Sequence, residues 1–152
     1  MRFTAIASGV IGACLLAFPA VAGDRATKEE AVSMVDKAVA AIKTNGAETA
    51  YAEISKKDGP FTAHDLYIVV YGLDGKCLAH GANAKLIGKD LSEAQDVDGK
   101  YYIRERLDLA GKNSNFWQSY KFTNPETKKV EPKLMYCQRL AQTAVCGGIY
   151  IP

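Results

Sequence analysis

Two side chains combine hydrogen-bonding capacity with a position at the end of a predicted strand. His80 ends an apolar segment and is followed by Gly81, so it enters a loop of the kind that often carries binding groups. Lys133 follows Pro132 at the start of another strand, and its ammonium offers three donors, which suits a carboxylate. Each also has a structural interpretation, because His80 could cap its own loop and Lys133 could be a solvated charge at a sheet edge.

Aromatic residues could form the walls of such a site. Most buried tyrosines are core residues with a satisfied hydroxyl, but several on one small sheet are enough for some to line a pocket with polar tips. The tyrosines on predicted strands are Tyr67, Tyr71, Tyr120, Tyr136 and Tyr150. Trp117 is interpreted as core or lid packing.

The sequence contains no motif typical of catalysis. There is no G-x-S-x-G elbow, no H-E-x-x-H helix and no C-x-x-C pair. The segment Asp96-Val97-Asp98-Gly99 is similar to half of a calcium loop, but it lacks the closing Glu and is interpreted as a turn. We therefore expect a protein that is not an enzyme and that holds no metal or cofactor.

The first 22 residues are typical of a secretory signal peptide. Arg2 precedes a nearly uncharged apolar segment, 3–18, which is shorter than the ~20 residues that span a bilayer. The A-x-A site at Ala20-Val21-Ala22 predicts cleavage after Ala22. A lipoprotein box at 11–14, ending in Cys14, is the alternative, and it would leave a short apolar core. We expect a single mature domain over residues 23–152.

Composition limits the partners of that domain. The 152 residues carry 19 Lys and Arg against 17 Asp and Glu, so there is no general electrostatic reason to bind nucleic acid or an anionic membrane. Residues 23–152 contain no further apolar run of membrane-spanning length. We expect a soluble protein in an oxidising compartment, and the periplasm fits best.

The spacing of apolar residues predicts an α+β fold. A capping box at Thr27–Glu30 opens a long amphipathic helix that ends at Asn45–Gly46. Two further helices are expected at 47–56 and 101–110, the second ending at Gly111. Strands are expected at 66–71, 77–80, 116–122, 133–140 and 145–151. Together they predict an antiparallel sheet of about five strands with helices on one side and loops on the other.

The closing hairpin permits a prediction of register. If its turn is centred beside Gln142, Cys137 lies opposite Cys146, and a cross-strand disulfide is within reach. The same register puts Lys133 opposite Tyr150 on the face of the cysteines. The other face is apolar and is assigned to the N-terminal helix, with Leu134, Tyr136, Val145, Gly147 and Ile149. Cys77 then remains as a free thiol.

Several segments in order resemble a single Cache domain, and the resemblance extends from Thr27 to Tyr150. Its opening part is Phe61, then Asp65-Leu66-Tyr67-Ile68-Val69-Val70-Tyr71, then Asp74-Gly75-Lys76 and Leu78-Ala79-His80. Its middle part is Leu86-Ile87-Gly88-Lys89-Asp90-Leu91 and Asp96-Val97-Asp98-Gly99-Lys100. Its closing part is Trp117, Tyr120-Lys121-Phe122, Asn124-Pro125, Lys133, Tyr136 and Gly148-Ile149-Tyr150.

The resemblance implies a PAS-like antiparallel sheet of five to six strands behind the N-terminal helix. It also implies an extracytoplasmic pocket for a small molecule, often a short carboxylate. His80, Tyr120 and Lys133 would contact that ligand, with further contacts from Tyr67, Tyr136 and Tyr150. Helix 101–110 and Trp117 would close the apolar side. The chain departs from the family at Gly81, where the family often has Pro.

Family members are usually the sensor portions of chemoreceptors and histidine kinases. We therefore expect a secreted binding module that presents a small metabolite to a membrane sensor kinase or chemoreceptor, because the sequence contains no signalling domain of its own. The alternative is a structural or interaction protein that forms a homodimer through the N-terminal helix or docks on a receptor without a working pocket. A redox role for Cys77 is disfavoured, since no neighbour in sequence would acidify its thiol.

Overall fold

A computed structural model describes residues 25–152, so the expected signal peptide, its cleavage site and Cys14 lie outside the described residues. The helices are α1 (Lys28–Asn45), α2 (Ala47–Ile54) and α3 (Tyr102–Lys112), with a short 3-10 helix at Ala84–Leu86. The strands are β1 (Thr62–Ala63), β2 (Leu66–Gly72), β3 (Cys77–His80), β4 (Asn115–Thr123), β5 (Val130–Leu140) and β6 (Thr143–Tyr150). The predicted α+β fold is confirmed.

Helix α1 begins at the predicted capping box. The amide of Glu30 donates to Oγ1 of Thr27 at 3.2 Å, and the amide of Thr27 donates to the Glu30 carboxylate at 2.7 Å. The helix ends at Asn45 and is capped by Gly46, whose φ of +82° favours glycine. In the apolar stripe of α1, Ala31, Val35 and Ala38 are fully buried.

All strand pairs of the sheet are antiparallel, in the order β1-β2-β6-β5-β4, and β3 also pairs with β2. The predicted register of the closing hairpin is confirmed, because Cys137 pairs with Cys146 and Lys133 pairs with Tyr150. Cys137 and Cys146 form a disulfide, and Cys77 is a buried free thiol.

The two faces of the sheet have different coverings. One face packs against α1 and α2 through Val35, Val70 and Val145, as the hairpin pattern predicted. The other face packs against α3 through Tyr71, Ile103 and further residues. This second face carries the disulfide and the polar residues of the candidate site.

Helix α3 is longer than predicted. We expected it to end at Gly111, but it runs to Lys112 and is capped at Asn113. The amide and the side-chain amide of Asn113 both donate to the carbonyl of Leu109 at 2.9 Å. These bonds satisfy a carbonyl of the last turn, so a single exposed glycine does not terminate the helix.

The disulfide closes a short loop, with nine residues of sequence separation. The double variant Cys137→Ala/Cys146→Ala is expected to lose about 2–3 kcal/mol of unfolding free energy, because the unfolded chain regains loop entropy. Urea denaturation measures this loss. Cys77→Ala is the matched control, since it removes a buried sulfur without opening a loop. Equal losses in the two variants would contradict the prediction.

Candidate functional site

Four polar side chains are buried on the sheet face that packs against α3. They come from different elements: His80 from β3, Arg106 from α3, Gln118 from β4 and Lys133 from β5. Lys133 is 0% exposed and Arg106 is 1% exposed. Fully buried cations are rare and are normally paired with a carboxylate.

Lys133 lies at the centre of three strands, paired with Tyr150 on β6 and with Tyr120 on β4. Its Nζ donates to the hydroxyl of Tyr150 at 3.3 Å and lies 3.9 Å from the centre of the Tyr67 ring. A β-carbon at Gly148 would lie 2.7 Å from Cε of Lys133, so glycine is needed there to admit the lysine stem. Burial, followed by the charge of Arg106, lowers the pKa of Lys133 well below its ordinary value.

The tyrosine hydroxyls beside Lys133 form a short chain. The hydroxyl of Tyr150 donates to the carbonyl of Thr123 at 2.8 Å and lies 3.3 Å from the hydroxyl of Tyr67. Burial raises the pKa of Tyr67 and of Tyr150, so both hydroxyls are neutral. Since the proton of Tyr150 goes to Thr123, Tyr67 is the donor between the two hydroxyls, and neither hydroxyl compensates the charge of Lys133.

His80 both caps its loop and faces the site. Its Nδ1 accepts the amides of Ala82 at 3.2 Å and Asn83 at 2.9 Å, so the ring proton lies on Nε2. The ring stacks on Tyr67 with centroids 5.2 Å apart. Burial, followed by the charges of Lys133 and Arg106, lowers the pKa of His80 to about 3. The imidazole is thus neutral at pH 7 and offers a single N–H donor.

Arg106 is the site residue that the sequence analysis missed. Its Nε donates to Gln118 at 3.0 Å, and Gln118 in turn donates to the carbonyl of Tyr102 at 2.7 Å. Its guanidinium lies 5.2 Å from the ring centre of Tyr120 and 5.3 Å from that of Tyr71. Within residues 25–152, Nη2 has no hydrogen-bond partner. The signal that could have found Arg106 is its helical spacing, which puts it on the buried face of α3 with Tyr102, Ile103 and Ala110.

The structure brings five of the predicted site residues together and separates two from them. His80, Lys133, Tyr67, Tyr120 and Tyr150 share the α3 face. Trp117 and Tyr136 pair with each other on the α1 face, where the indole lies under Lys28 of α1. The expectation that these two residues join the same pocket is corrected, because neighbouring residues of a strand point to opposite faces of a sheet. Tyr102 and Ile103 of α3 cover the side that we assigned in part to Trp117.

The arrangement is suited to a small anion. Among residues 25–152, no carboxylate lies within 4.0 Å of Lys133 or Arg106. The same part of the chain holds no group of His, Cys, Asp and Glu residues that could bind a metal ion. Burial raises the pKa of Cys77 to about 11, so its thiol is not a nucleophile at neutral pH. Tyr67 also lines a cavity of about 400 Å³, together with Gly81, Ala82 and residues outside the site.

The comparisons with known proteins agree with this fold. The family described as single Cache domain 2 matches residues 20–150, and the chain belongs to this family. Cache domains are extracytoplasmic sensor domains that bind small molecules. No curated protein matches the chain. Within the described part of the chain, no helix combines the length and apolar character needed to cross a bilayer.

Solved structures with the same fold come from chemotaxis proteins. A methyl-accepting chemotaxis protein from Vibrio parahaemolyticus RIMD 2210633 is 24% identical, with a TM-score of 0.70 over 82% of this chain and 88% of that one. A Cache chemosensory domain, titled for carboxylic acid recognition, is 21% identical, with a TM-score of 0.69 over 82% and 92%. A periplasmic sensor domain of a chemotaxis protein is 20% identical, with a TM-score of 0.65 over 82% and 90%. At these identities the likeness establishes the fold.

The buried lysine is expected to cost stability in the empty protein. Lys133→Met keeps the stem and removes the charge, and it should raise the free energy of unfolding by about 1–4 kcal/mol at neutral pH. The unfolded chain binds more protons than the folded one, because the pKa of Lys133 is lowered on folding. Wild-type stability should therefore rise with pH between the lowered pKa and the ordinary lysine pKa of about 10.4, and the variant should lose this slope.

Urea denaturation across that pH range measures both effects. Lys43→Met is the matched control, since Lys43 is an exposed lysine of α1. A variant at position 133 that is less stable than the wild type, with an unchanged pH slope, would contradict the prediction.

Proposed function

We propose that this protein is a periplasmic binding protein of the sensor type that recognises a short organic acid. The observation that carries the proposal is the pair of buried basic side chains, Lys133 and Arg106, neither of which has a carboxylate within 4.0 Å among residues 25–152. A bound carboxylate would bring a negative charge to this pair. It would also accept from Nη2 of Arg106, the buried donor without a partner.

The energetics favour a carboxylate over a neutral ligand. An unpaired ion in the interior costs several kcal/mol, and a ligand that pairs with it recovers part of that cost. Each charge-assisted hydrogen bond contributes about 1.5–3 kcal/mol. Two or three such bonds, from Lys133, Arg106 and Nε2 of His80, give useful affinity for a small anion.

The aromatic walls favour a small ligand. The rings of Tyr67 and Tyr150 surround Nζ of Lys133, while those of Tyr71, Tyr102 and Tyr120 surround the guanidinium of Arg106. These side chains leave little room for a bulky substituent. Ligand sites of this kind combine apolar walls with a few placed polar groups. The related chemosensory domain titled for carboxylic acid recognition supports the same ligand class.

The cellular context is part of the proposal. The segment 1–22 would direct export and be removed after Ala22, leaving residues 23–152 as a Cache domain in the periplasm. The occupied protein would then act on a membrane chemoreceptor or sensor kinase. The chemotaxis proteins that share the fold support this kind of partner.

A thermal-shift titration tests the proposal directly. Acetate, propionate, butyrate or lactate at millimolar concentration should raise the melting temperature, since a ligand that binds only the folded state stabilises it. Arg106→Gln should abolish the shift, because it removes the buried guanidinium. Arg104→Gln, on the exposed side of the same helix, should leave the shift unchanged. No shift with any short organic acid would contradict the proposed function.

A second candidate function is self-association through α1. Trp117, on the edge strand β4, is 37% exposed and adjoins a groove of about 530 Å³ with Lys28, Val32 and Asp36 of α1. An exposed indole beside an amphipathic helix is typical of an interaction surface. A second copy of this chain would fit this groove, as the resemblance to receptor sensor domains also implies.

Sedimentation equilibrium distinguishes this second candidate. The wild-type protein should dimerise at high concentration, and Trp117→Thr should weaken the dimer about tenfold by removing the indole. Tyr101→Thr is the matched control, because Tyr101 has the same 37% exposure but lies at the start of α3. A wild-type protein that stays monomeric at all concentrations would refute this function.

A further inference from the structure

We infer that the site takes up a monocarboxylate together with one proton, and that Lys133 is the group that accepts the proton. The inference rests on the proposed function, because it concerns the same ligand site. It goes beyond the proposed function in two respects: it specifies the charge of the ligand that the site selects, and it explains how the site stays electrically neutral when the ligand binds.

The charged groups around Lys133 support this inference. Arg25 is bound to Glu131 at 2.8 Å, and this ion pair lies at the rim of the site. Inside it, Asp65 is buried, accepts the amide of Ala26 and lies 4.0 Å from Nη1 of Arg25, so the two carboxylates of this cluster exceed its one arginine by one negative charge. Arg106 is charged at every accessible pH. If Lys133 is also charged, the site holds one positive charge in excess. If Lys133 is neutral, the site is balanced.

The tyrosines and the histidine around Lys133 do not titrate near neutral pH. Each packed element contributes at least one titratable or charged group to its surroundings: Tyr67 from β2, His80 from β3, Tyr120 from β4, Tyr150 from β6, Arg106 from α3, and Asp65 from the turn before β2. The pKa of each tyrosine is raised by burial, and the pKa of His80 is lowered to about 3. Lys133 is therefore the group whose charge can change when the ligand binds.

The geometry around Nζ favours a neutral amine in the empty site and an ammonium in the occupied one. The three protons of an ammonium would find a single hydrogen-bond acceptor among residues 25–152, the hydroxyl of Tyr150. A carboxylate oxygen would supply further acceptors and an opposite charge. The proton comes from solvent and forms an N–H bond at Nζ, so the anion and the proton enter as an electroneutral pair.

Charge and pH dependence of binding follow from this pairing. A dicarboxylate would bring a second negative charge to a site with one cation to compensate it, and Asp65 would repel that charge.

The affinity for a monocarboxylate should fall as pH rises above the lowered pKa of Lys133 in the empty site. The fall should be about tenfold per pH unit, because the occupied state binds one more proton than the empty state.

Titration calorimetry of the full protein tests the inference. Butyrate and succinate have the same carbon skeleton length and differ in charge, and each is titrated at about pH 8.5 in two buffers of different ionisation enthalpy. A lysine with an ordinary pKa of about 10.4 is already protonated at that pH and would take up no proton. We expect an uptake close to one proton with butyrate, and binding at least about tenfold tighter for butyrate than for succinate.

Variants locate the proton. Lys133→Met should show no proton uptake with butyrate, while its melting curve shows that it is folded. Lys43→Met, an exposed lysine variant, should behave as the wild type. Butyrate binding without proton uptake, uptake that persists in Lys133→Met, or tighter binding of succinate would each overturn the inference and leave the proposed function intact. If no organic acid binds the wild-type protein, the inference and the proposed function both fail.

Discussion

The constraint on which the rest of the site depends is the burial of two basic side chains on one sheet face, with no carboxylate within 4.0 Å of either among residues 25–152. Lys133 and Arg106 are at most 1% exposed, and an uncompensated buried charge is among the most expensive features that a small domain can carry. The surrounding architecture reduces that cost in three ways: aromatic faces close to both cations, a glutamine that accepts from Arg106, and a lysine whose pKa is lowered. None of these three features supplies a negative charge. The site is therefore suited to an anionic ligand, and it lowers the stability of the empty protein.

The rigid parts of the fold hold these groups in place. The disulfide between Cys137 and Cys146 joins β5 and β6 on the same face as Lys133, and α1 packs against the opposite face of the same strands. The hydroxyl of Tyr150 connects Lys133 to the carbonyl of Thr123, next to Asn124, which in turn contacts Asp65 and Glu131. Arg25, at the start of the described chain, pairs with Glu131. Side chains in contact thus link the ligand site to the residues that precede α1.

Local patterns predicted much of this fold, because they depend on neighbours in sequence. The capping box, the period of α1 and the register of the closing hairpin are all confirmed, and the register alone placed Lys133, Tyr150 and both cysteines on one face. The errors also have local causes. An exposed glycine did not end α3, and Trp117 and Tyr136 were grouped with residues from which strand alternation separates them.

The sequence by itself determined the class of the protein, the order of its elements, and the residue types available for binding, since these follow from periodicity, turn residues and the order of family segments. Only the tertiary structure decided which of those residues form one site. Arg106 is far along the chain from His80 and Lys133. Its spacing on α3 predicts that it faces inward but does not predict which residues it contacts. Arg106 lies beside Tyr120, with Nη2 unpartnered, because α3 packs on the sheet. Residues close to Arg106 in sequence do not determine that packing.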